Sequence, residues 1–546
     1  MRLFALQVLN HGLYQQLAEN QHQLFKTLVP ARGSVFVQEG QSGKTIPVIT
    51  NVEKDFVYAV PPEIAEKEKL ATMLAPVLEM PKSEILAKIS DNERKWVVLK
   101  KELPESTSEK IKNFKLKGVY LDPETYRFYP EKDFASQVLG FLAYKDNQRV
   151  GQYGIEESYE KLLAGRSGSL ELEKDTAGRW IIGGTRKLEP AVDGADVVLT
   201  IDRGVQFKAE DVLENTVKNY QADSGSIVVL SPETGKVLAI ANYPDFDPNV
   251  FGKVPDPKFF RDSAASDTYE PGSVFKAFTM AAGLDSGAVT PDMTYEDTGS
   301  VTLDDFVIRN ANNKVFGVKN MTEVLEQSIN TGAIFVQQRA GNENFLKTVK
   351  NFGFGEATGL TLPAESPGDI KNLIRGGKVH YATAAFGQGI TVTPLQLAAA
   401  YGAIANQGKL MKPYIVERIN YPDGRTENFV PQEVRQAISP KAANTLAAML
   451  VSVVEKGHGK RAGVPGYFVA GKTGTAQVAR SDSPGYDPDV TIGSFAGFAP
   501  VDKPVFVIIV KINNPRTVRF AESTAAPAFG EMARFLLNYL QIPPTR

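Results

Sequence analysis

Gly225-Ser226-Ile227-Val228-Val229-Leu230 reads as a strand, Ser231-Pro232-Glu233-Thr234-Gly235 as a turn, and Lys236 to Ile240 as the partner strand. The far end of the chain repeats the pattern. Ser494 to Ala499 and Val505 to Ile512 are predicted strands joined across Pro500-Val501-Asp502-Lys503-Pro504. A last helix carries Phe529, Met532, Ala533, Leu536 and Leu540 at the spacing of one buried stripe. Strands at both ends with helices between them imply one antiparallel sheet, covered by helices, in which the two strand pairs lie side by side. The expected class is α+β.

A boundary fits at Gln221-Ala222-Asp223-Ser224, which divides the chain into residues 1–220 and 221–546. The first part mixes a helical stretch, Pro62 to Leu78, with strand-like pieces such as Ser34-Val35-Phe36-Val37. Two folding units suit a length of 546 residues.

The 61 basic and 63 acidic residues nearly cancel, so the charge offers no case for nucleic-acid binding. The absence of cysteine excludes disulfides, thiolate catalysis and cysteine-ligated metal. His11, His22, His380 and His458 are the only histidines, none at ligand spacing, so neither a metal nor a cofactor is expected. No apolar run approaches the roughly 20 residues of a membrane span. The opening Met1 to Leu9 is soon interrupted by Asn10, His11 and Gln15, and it lacks a cleavage site of small residues. The chain as written is expected to be soluble.

Three segments can carry chemistry. In Glu270-Pro271-Gly272-Ser273-Val274-Phe275-Lys276, Pro271 and Gly272 mark a turn before a helix whose apolar face holds Phe275, Phe278, Thr279 and Ala282. Ser273 then sits in the first turn, where free N–H groups and the dipole favour negative charge. Lys276, three residues on, stands beside it and can take its proton if burial or a nearby cation holds the amine neutral. In Ser328-Ile329-Asn330 an extended connection would point Ser328 and Asn330 the same way, one to relay a proton and one to orient an amide. In Gly471-Lys472-Thr473-Gly474-Thr475 a strand would present Lys472, which lowers the proton affinity of Lys276 and attracts a carboxylate. The Thr473 and Thr475 hydroxyls would bind that carboxylate, and Gly474 would clear room for a substrate backbone.

Each segment alone also fits an ordinary role, as a helix cap or a solvated side chain. Gly466 to Thr473 even matches a phosphate-loop pattern, but such a loop opens a long helix, whereas Thr475 to Val478 continues as strand. The ordered trio is the strong signal. Ser-x-x-Lys, Ser-x-Asn 55 residues later, and Lys-Thr-Gly 142 residues after Asn330 resemble the motif set of active-site serine penicillin-binding proteins and β-lactamases.

Further segments resemble class B penicillin-binding proteins of the division and sporulation type. They are Tyr269-Glu270-Pro271-Gly272-Ser273, Phe352-Gly353-Phe354-Gly355, Leu362-Pro363-Ala364-Glu365 and Phe386-Gly387-Gln388-Gly389 with Ile390 to Gln396. Upstream, Arg127-Phe128-Tyr129-Pro130, Gly154-Ile155-Glu156 and Leu199-Thr200-Ile201-Asp202 resemble that family's non-catalytic pedestal. Ala525 to Phe529 and Tyr539 to Pro544 resemble its division branch.

The resemblance implies a pedestal, a transpeptidase domain with an additional all-helical part, and a peptidoglycan D,D-transpeptidase activity inhibited by β-lactams. Ser273 would be acylated by a stem peptide ending in D-Ala-D-Ala, and the N–H groups of Ser273 and Thr475 would form the oxyanion hole. The implied partners are stem peptides, a membrane glycan polymerase and division or elongation proteins. The implied place is the extracytoplasmic face, held by a single N-terminal membrane anchor that this sequence lacks. Val274 stands where the family often has Thr, and Val37-Gln38-Glu39-Gly40 departs from its usual turn. A class A β-lactamase is disfavoured, because Glu343, Glu356 and Glu365 lack an asparagine four residues on. A D,D-carboxypeptidase and a non-catalytic β-lactam sensor or scaffold remain the alternatives.

Overall fold

The computed structural model describes residues 23–146, 148–173, 186–480 and 485–546. The opening apolar stretch, His11 and His22 lie outside the described residues, as do 481–484 of the polar stretch after Arg480. Among the described residues no helix is long and apolar enough to cross a membrane.

Residues 48–130 form one compact unit. The strand Lys44–Ala59 pairs antiparallel with Val97–Lys100 and Val119–Phe128. Leu70, Leu74 and Leu78 of the helix Lys67–Leu78 share a core with Ile85, Ile89, Leu99 and Ile111. The helix expected from Pro62 is split. Pro61–Glu63 makes one 3-10 turn, Ile64 turns extended and buries its side chain, and the α-helix begins only at Lys67.

The other unit comprises residues 1–47 and 131–546. The strand foreseen at Ser34 to Val37 runs from Val35 to Glu39 and pairs parallel with Asp196–Asp202, which pairs antiparallel with Val416–Asn420. The Gly154-Ile155-Glu156 segment earns its place electrostatically. Glu156 is fully buried and paired with Arg32, whose guanidinium also reaches Glu160 at 2.6 Å. A buried carboxylate without such a partner would be strongly destabilising.

The main sheet and the helices around it follow in chain order: α1 (Arg203–Asn219), β1 (Ser224–Leu230), β2 (Val237–Tyr243), α2 (Lys276–Asp285), α3 (Met321–Glu326), α4 (Asn330–Ala340), α5 (Pro394–Ala405), α6 (Pro440–Glu455), β3 (Ala470–Ala479), β4 (Tyr486–Ala499), β5 (Phe506–Asn513) and α7 (Ala525–Tyr539). The sheet order is β2-β1-β5-β4-β3, antiparallel throughout. Val228 lies opposite Ile509, which lies opposite Ala496. The two ends of the domain therefore meet in the middle of one sheet, as the strand pattern foretold.

Alternation along the strands gives the sheet two faces. On one, Ile227, Val229, Phe495, Val510 and Ile512 pack against Val205, Ala209 and Leu213 of α1 and Phe529, Met532 and Leu536 of α7. The α7 stripe is buried as read, except that Leu540 falls just past the helix end and is partly buried. α1 lies ahead of residue 221 yet packs on this sheet. On the other face α5 packs its Gly402 side toward Leu230 and Val507. Beyond it, Phe275 and Phe278 pack on Phe354, with Phe278 also 4.9 Å from Phe352 between ring centres. The Phe352–Gly355 segment thus supplies the wall behind the first turn of α2.

Candidate active site

Ser273 lies in a 3-10 turn, Gly272–Phe275, that runs directly into α2. Residues three apart eclipse in a 3-10 turn, which stacks Ser273 and Lys276. Ser273 is half-buried and Lys276 fully buried. The lysine points its head at the loop between α3 and α4. Its Nζ donates to Ser328 O at 2.5 Å, Ser328 Oγ at 3.2 Å and Asn330 Oδ1 at 2.8 Å.

That loop is not the extended run expected. Ser328 is left-handed with φ +55°, Ile329 is extended, and Asn330 opens α4. A non-glycine residue held there costs about 1–3 kcal/mol, and such strain concentrates at functional sites. Asn330 Nδ2 is fixed by Arg309 O at 3.1 Å. The next residue, Thr331, is tied to Asp297 and Asn310, and both oxygens of Asp297 accept from Asn310 Nδ2, which also donates to Lys314 O. A buried polar network with its partners in place holds the loop rigid.

β3 is the sheet edge beside this loop. Lys472, fully buried, donates from Nζ to Ser328 Oγ at 2.9 Å and to Thr473 O at 3.1 Å. Ser328 Oγ thus touches both lysines. Gly474 faces the same side as Lys472, and a Cβ there would lie 2.8 Å from Pro271 O and 2.9 Å from Val274 Cγ1. The clearance that the sequence assigns to a substrate backbone is filled by the chain's own Gly272–Phe275 turn. Thr473 is buried and Thr475 exposed, with Thr475 Oγ1 accepting from Ala521 N at 3.3 Å.

The structure brings Lys276, Ser328, Asn330 and Lys472 into one hydrogen-bonded cluster. Ser273 is placed beside it by its turn, and no described hydrogen bond engages its Oγ. The acceptors around both ammonium groups are neutral oxygens, so desolvation is uncompensated. Burial first, and the charge of Lys472 second, hold Lys276 well below an ordinary lysine. Burial lowers Lys472 to about 7. A lysine kept neutral near a serine, next to a second lysine poised to meet an anion, is the equipment for acyl transfer.

Residues 225–534 match the family described as penicillin binding protein transpeptidase domain, and 27–199 that described as penicillin-binding protein dimerisation domain. Stage V sporulation protein D of Bacillus subtilis is 35% identical over 530 residues, 95% of this chain and 79% of that protein. The chain belongs to the class B penicillin-binding proteins. The probable peptidoglycan D,D-transpeptidase PbpC of Pseudomonas aeruginosa is 31% identical, covering all of this chain and 93% of its own. Among solved structures, a peptidoglycan synthetase from Bifidobacterium adolescentis superposes with TM-score 0.75 at 28% identity, covering 96% of this chain and 98% of that one. Penicillin binding protein 3 from Mycobacterium tuberculosis, complexed with aztreonam, gives 0.74 at 27%, covering 95% and 98%.

This penicillin-binding protein also positions the Ser273 turn through residues to which the motifs alone assign no role. Gly272 N donates to Gly387 O at 3.0 Å, and a Cβ on Gly387 would lie 2.1 Å from Gly272 O. Tyr401 Oη, buried in α5, donates to Val274 O at 2.8 Å, a bond worth about 0.5–1.5 kcal/mol net. Its signal in the sequence is the one hydroxyl on a helix that is apolar from Leu397 onward. Glu270 Oε1 accepts from Gly389 N at 2.8 Å and from Tyr486 Oη at 3.2 Å. Gly272 itself is left-handed at φ +57°, and Gly387 at φ +81°. Gly387→Ala is therefore expected to displace the Ser273 turn and slow acylation about 10²-fold, the scale of a 1 Å misplacement. Stopped-flow acylation by a chromogenic β-lactam checks it, and an unchanged rate would remove Gly387 from positioning the turn.

Proposed function

We propose that this class B penicillin-binding protein is a peptidoglycan D,D-transpeptidase in which Ser273 is the nucleophile and Lys276 its base. One observation carries the reading. A fully buried lysine, one 3-10 turn from a serine, is hydrogen-bonded to Ser328 and Asn330 and shares Ser328 Oγ with a second buried lysine.

In the first half-reaction a neutral Lys276 donates two of its bonds and keeps a lone pair, which takes the proton of Ser273 Oγ. The oxygen attacks the penultimate D-alanine carbonyl of a stem peptide. The N–H groups of Ser273 and Thr475 hold the developing oxyanion, each such donor contributing about 10²–10³ in rate. The proton passes through Ser328 Oγ to the departing D-alanine nitrogen. Lys472 and the Thr473 and Thr475 hydroxyls receive the substrate carboxylate, whose charge raises the proton affinity of Lys472 above its empty-site value. Asn330 orients the peptide amide, and Gly474 lets β3 close on the nucleophile turn. In the second half-reaction an amine from another stem resolves the ester and forms the cross-link.

The division of labour we propose assigns 221–546 to catalysis and 1–220 to the pedestal, with α1 as the pedestal's last element packed on the catalytic sheet. The substrate places the catalytic part on the extracytoplasmic face, beside a membrane glycan polymerase and the division or elongation proteins. Given a stem-peptide thioester and D-alanine, the purified chain is expected to release more aminolysis product than free acid, measured by liquid chromatography. Free acid dominating at every acceptor concentration would replace this reading by a D,D-carboxypeptidase. Acylation without turnover of either kind would replace it by a sensor.

A further inference from the structure

The second half-reaction needs something that the three motifs do not supply. The amine arrives protonated, and both Lys276 and Lys472 oppose a cation in the cleft. Two side chains bridge the elements that carry the second and third motifs, and they can take up a proton or meet a cation. His458 follows α6, and its backbone N–H donates to Glu326 O at 3.2 Å, at the end of α3. Gly457 permits that approach, since a Cβ there would lie 2.5 Å from the same oxygen. The ring Nδ1 lies 3.1 Å from Glu522 Oε2. Glu522 follows Ala521, whose N–H donates to Thr475 Oγ1 on β3. The pair therefore spans from the helix that carries the Ser328–Asn330 loop to the strand that carries Lys472. Both side chains are about half exposed.

The charged groups facing the ring are Lys472 from β3, Glu522 from the 521–523 turn and Lys314 from the loop ahead of α3. The Glu326 carboxylate is occupied by Ser452 Oγ at 2.5 Å. Burial and Lys472 lower the proton affinity of the imidazole, while Glu522 pulls the other way. A neutral imidazole that donates Nδ1–H to a carboxylate presents a lone pair at Nε2. No described hydrogen bond engages that nitrogen.

We propose that His458, oriented by Glu522, is the proton acceptor for the incoming amine, and that Glu522 is the carboxylate that draws the ammonium in. This rests on the transpeptidase reading above. Nε2 takes one proton from the ammonium and passes it to water. The freed lone pair forms the C–N bond at the acyl carbon. As the C–Oγ bond breaks, its electron pair leaves on Ser273 Oγ, which receives the second amine proton through Lys276. The products are the amide and free Ser273, with one proton released to solvent.

The test uses the full chain with His458→Gln, which keeps a polar side chain of similar length but accepts no proton at neutral pH. Aminolysis of the stem-peptide acyl-enzyme by D-alanine should fall by about 10²–10⁴, the usual scale for a lost general base. Its acid limb, where the wild-type rate rises as the imidazole loses its proton, should disappear. Aminolysis by hydroxylamine, which is unprotonated at neutral pH, should change only a few-fold. Penicillin labelling of Ser273 should stay within a few-fold and shows that the variant is folded. A D-alanine rate close to wild type, equal losses for both acceptors, or a parallel loss of labelling would overturn the assignment. If the wild-type chain takes no penicillin label, the transpeptidase reading fails first and this one falls with it.

Discussion

Ser273→Ala is expected to erase covalent penicillin attachment and to lower transpeptidation by about 10⁶, the scale seen when the nucleophile of a concerted serine unit is removed. Lys276 cannot substitute for it, because its head is committed to Ser328 and Asn330. Ser328 cannot either, since its hydroxyl is held by both lysines. The fold should not notice the change. The turn is fixed by Gly272 N to Gly387 O and by Tyr401 Oη to Val274 O, neither of which uses the serine side chain. Thermal unfolding of the variant should therefore overlay the wild type while labelling vanishes. Labelling that survives would place the nucleophile elsewhere.

Lys276→Arg separates charge from basicity. Arginine keeps the positive charge but does not release its proton in proteins. Acylation should slow by about 10²–10⁴. The pH profile is the more telling readout, because a larger side chain in a fully buried site also strains the packing. In the wild type, acylation is expected to rise with pH as Lys276 loses its proton. Burial and Lys472 place that rise well below the range of an ordinary lysine. The arginine variant should have no such limb. Stopped-flow acylation across the pH range decides it, and a variant that keeps the acid limb would remove Lys276 from the role of base.

The sheet and the side chains of the candidate site were readable from the sequence because their signals are local. Alternating apolar runs at 225–240 and 494–512 mark strands, and the four side chains of the cluster sit in short motifs of fixed spacing. What holds the Ser273 turn was not readable in the same way. Gly387 and Tyr401 meet Gly272 and Val274 from more than 100 residues away, and no window of sequence contains both sides of such a contact. The left-handed Ser328 also has no local cue, since serine has no preference for that region; tertiary bonds to Lys276 and the Asp297 network accompany it. Gly474 was recognised as a site of close approach, but only the folded chain shows that Pro271 and Val274 are what approaches. The early start assigned to the helix ending at Leu78 fails for a related reason: burial of Ile64 in the core overrides helical periodicity.

Peptide mapping by mass spectrometry after incubation with penicillin tests the central assignment most directly. The penicilloyl mass should appear on a single peptide, with fragmentation placing it on Ser273. An adduct on any other residue, or an unmodified chain after prolonged incubation, would contradict it.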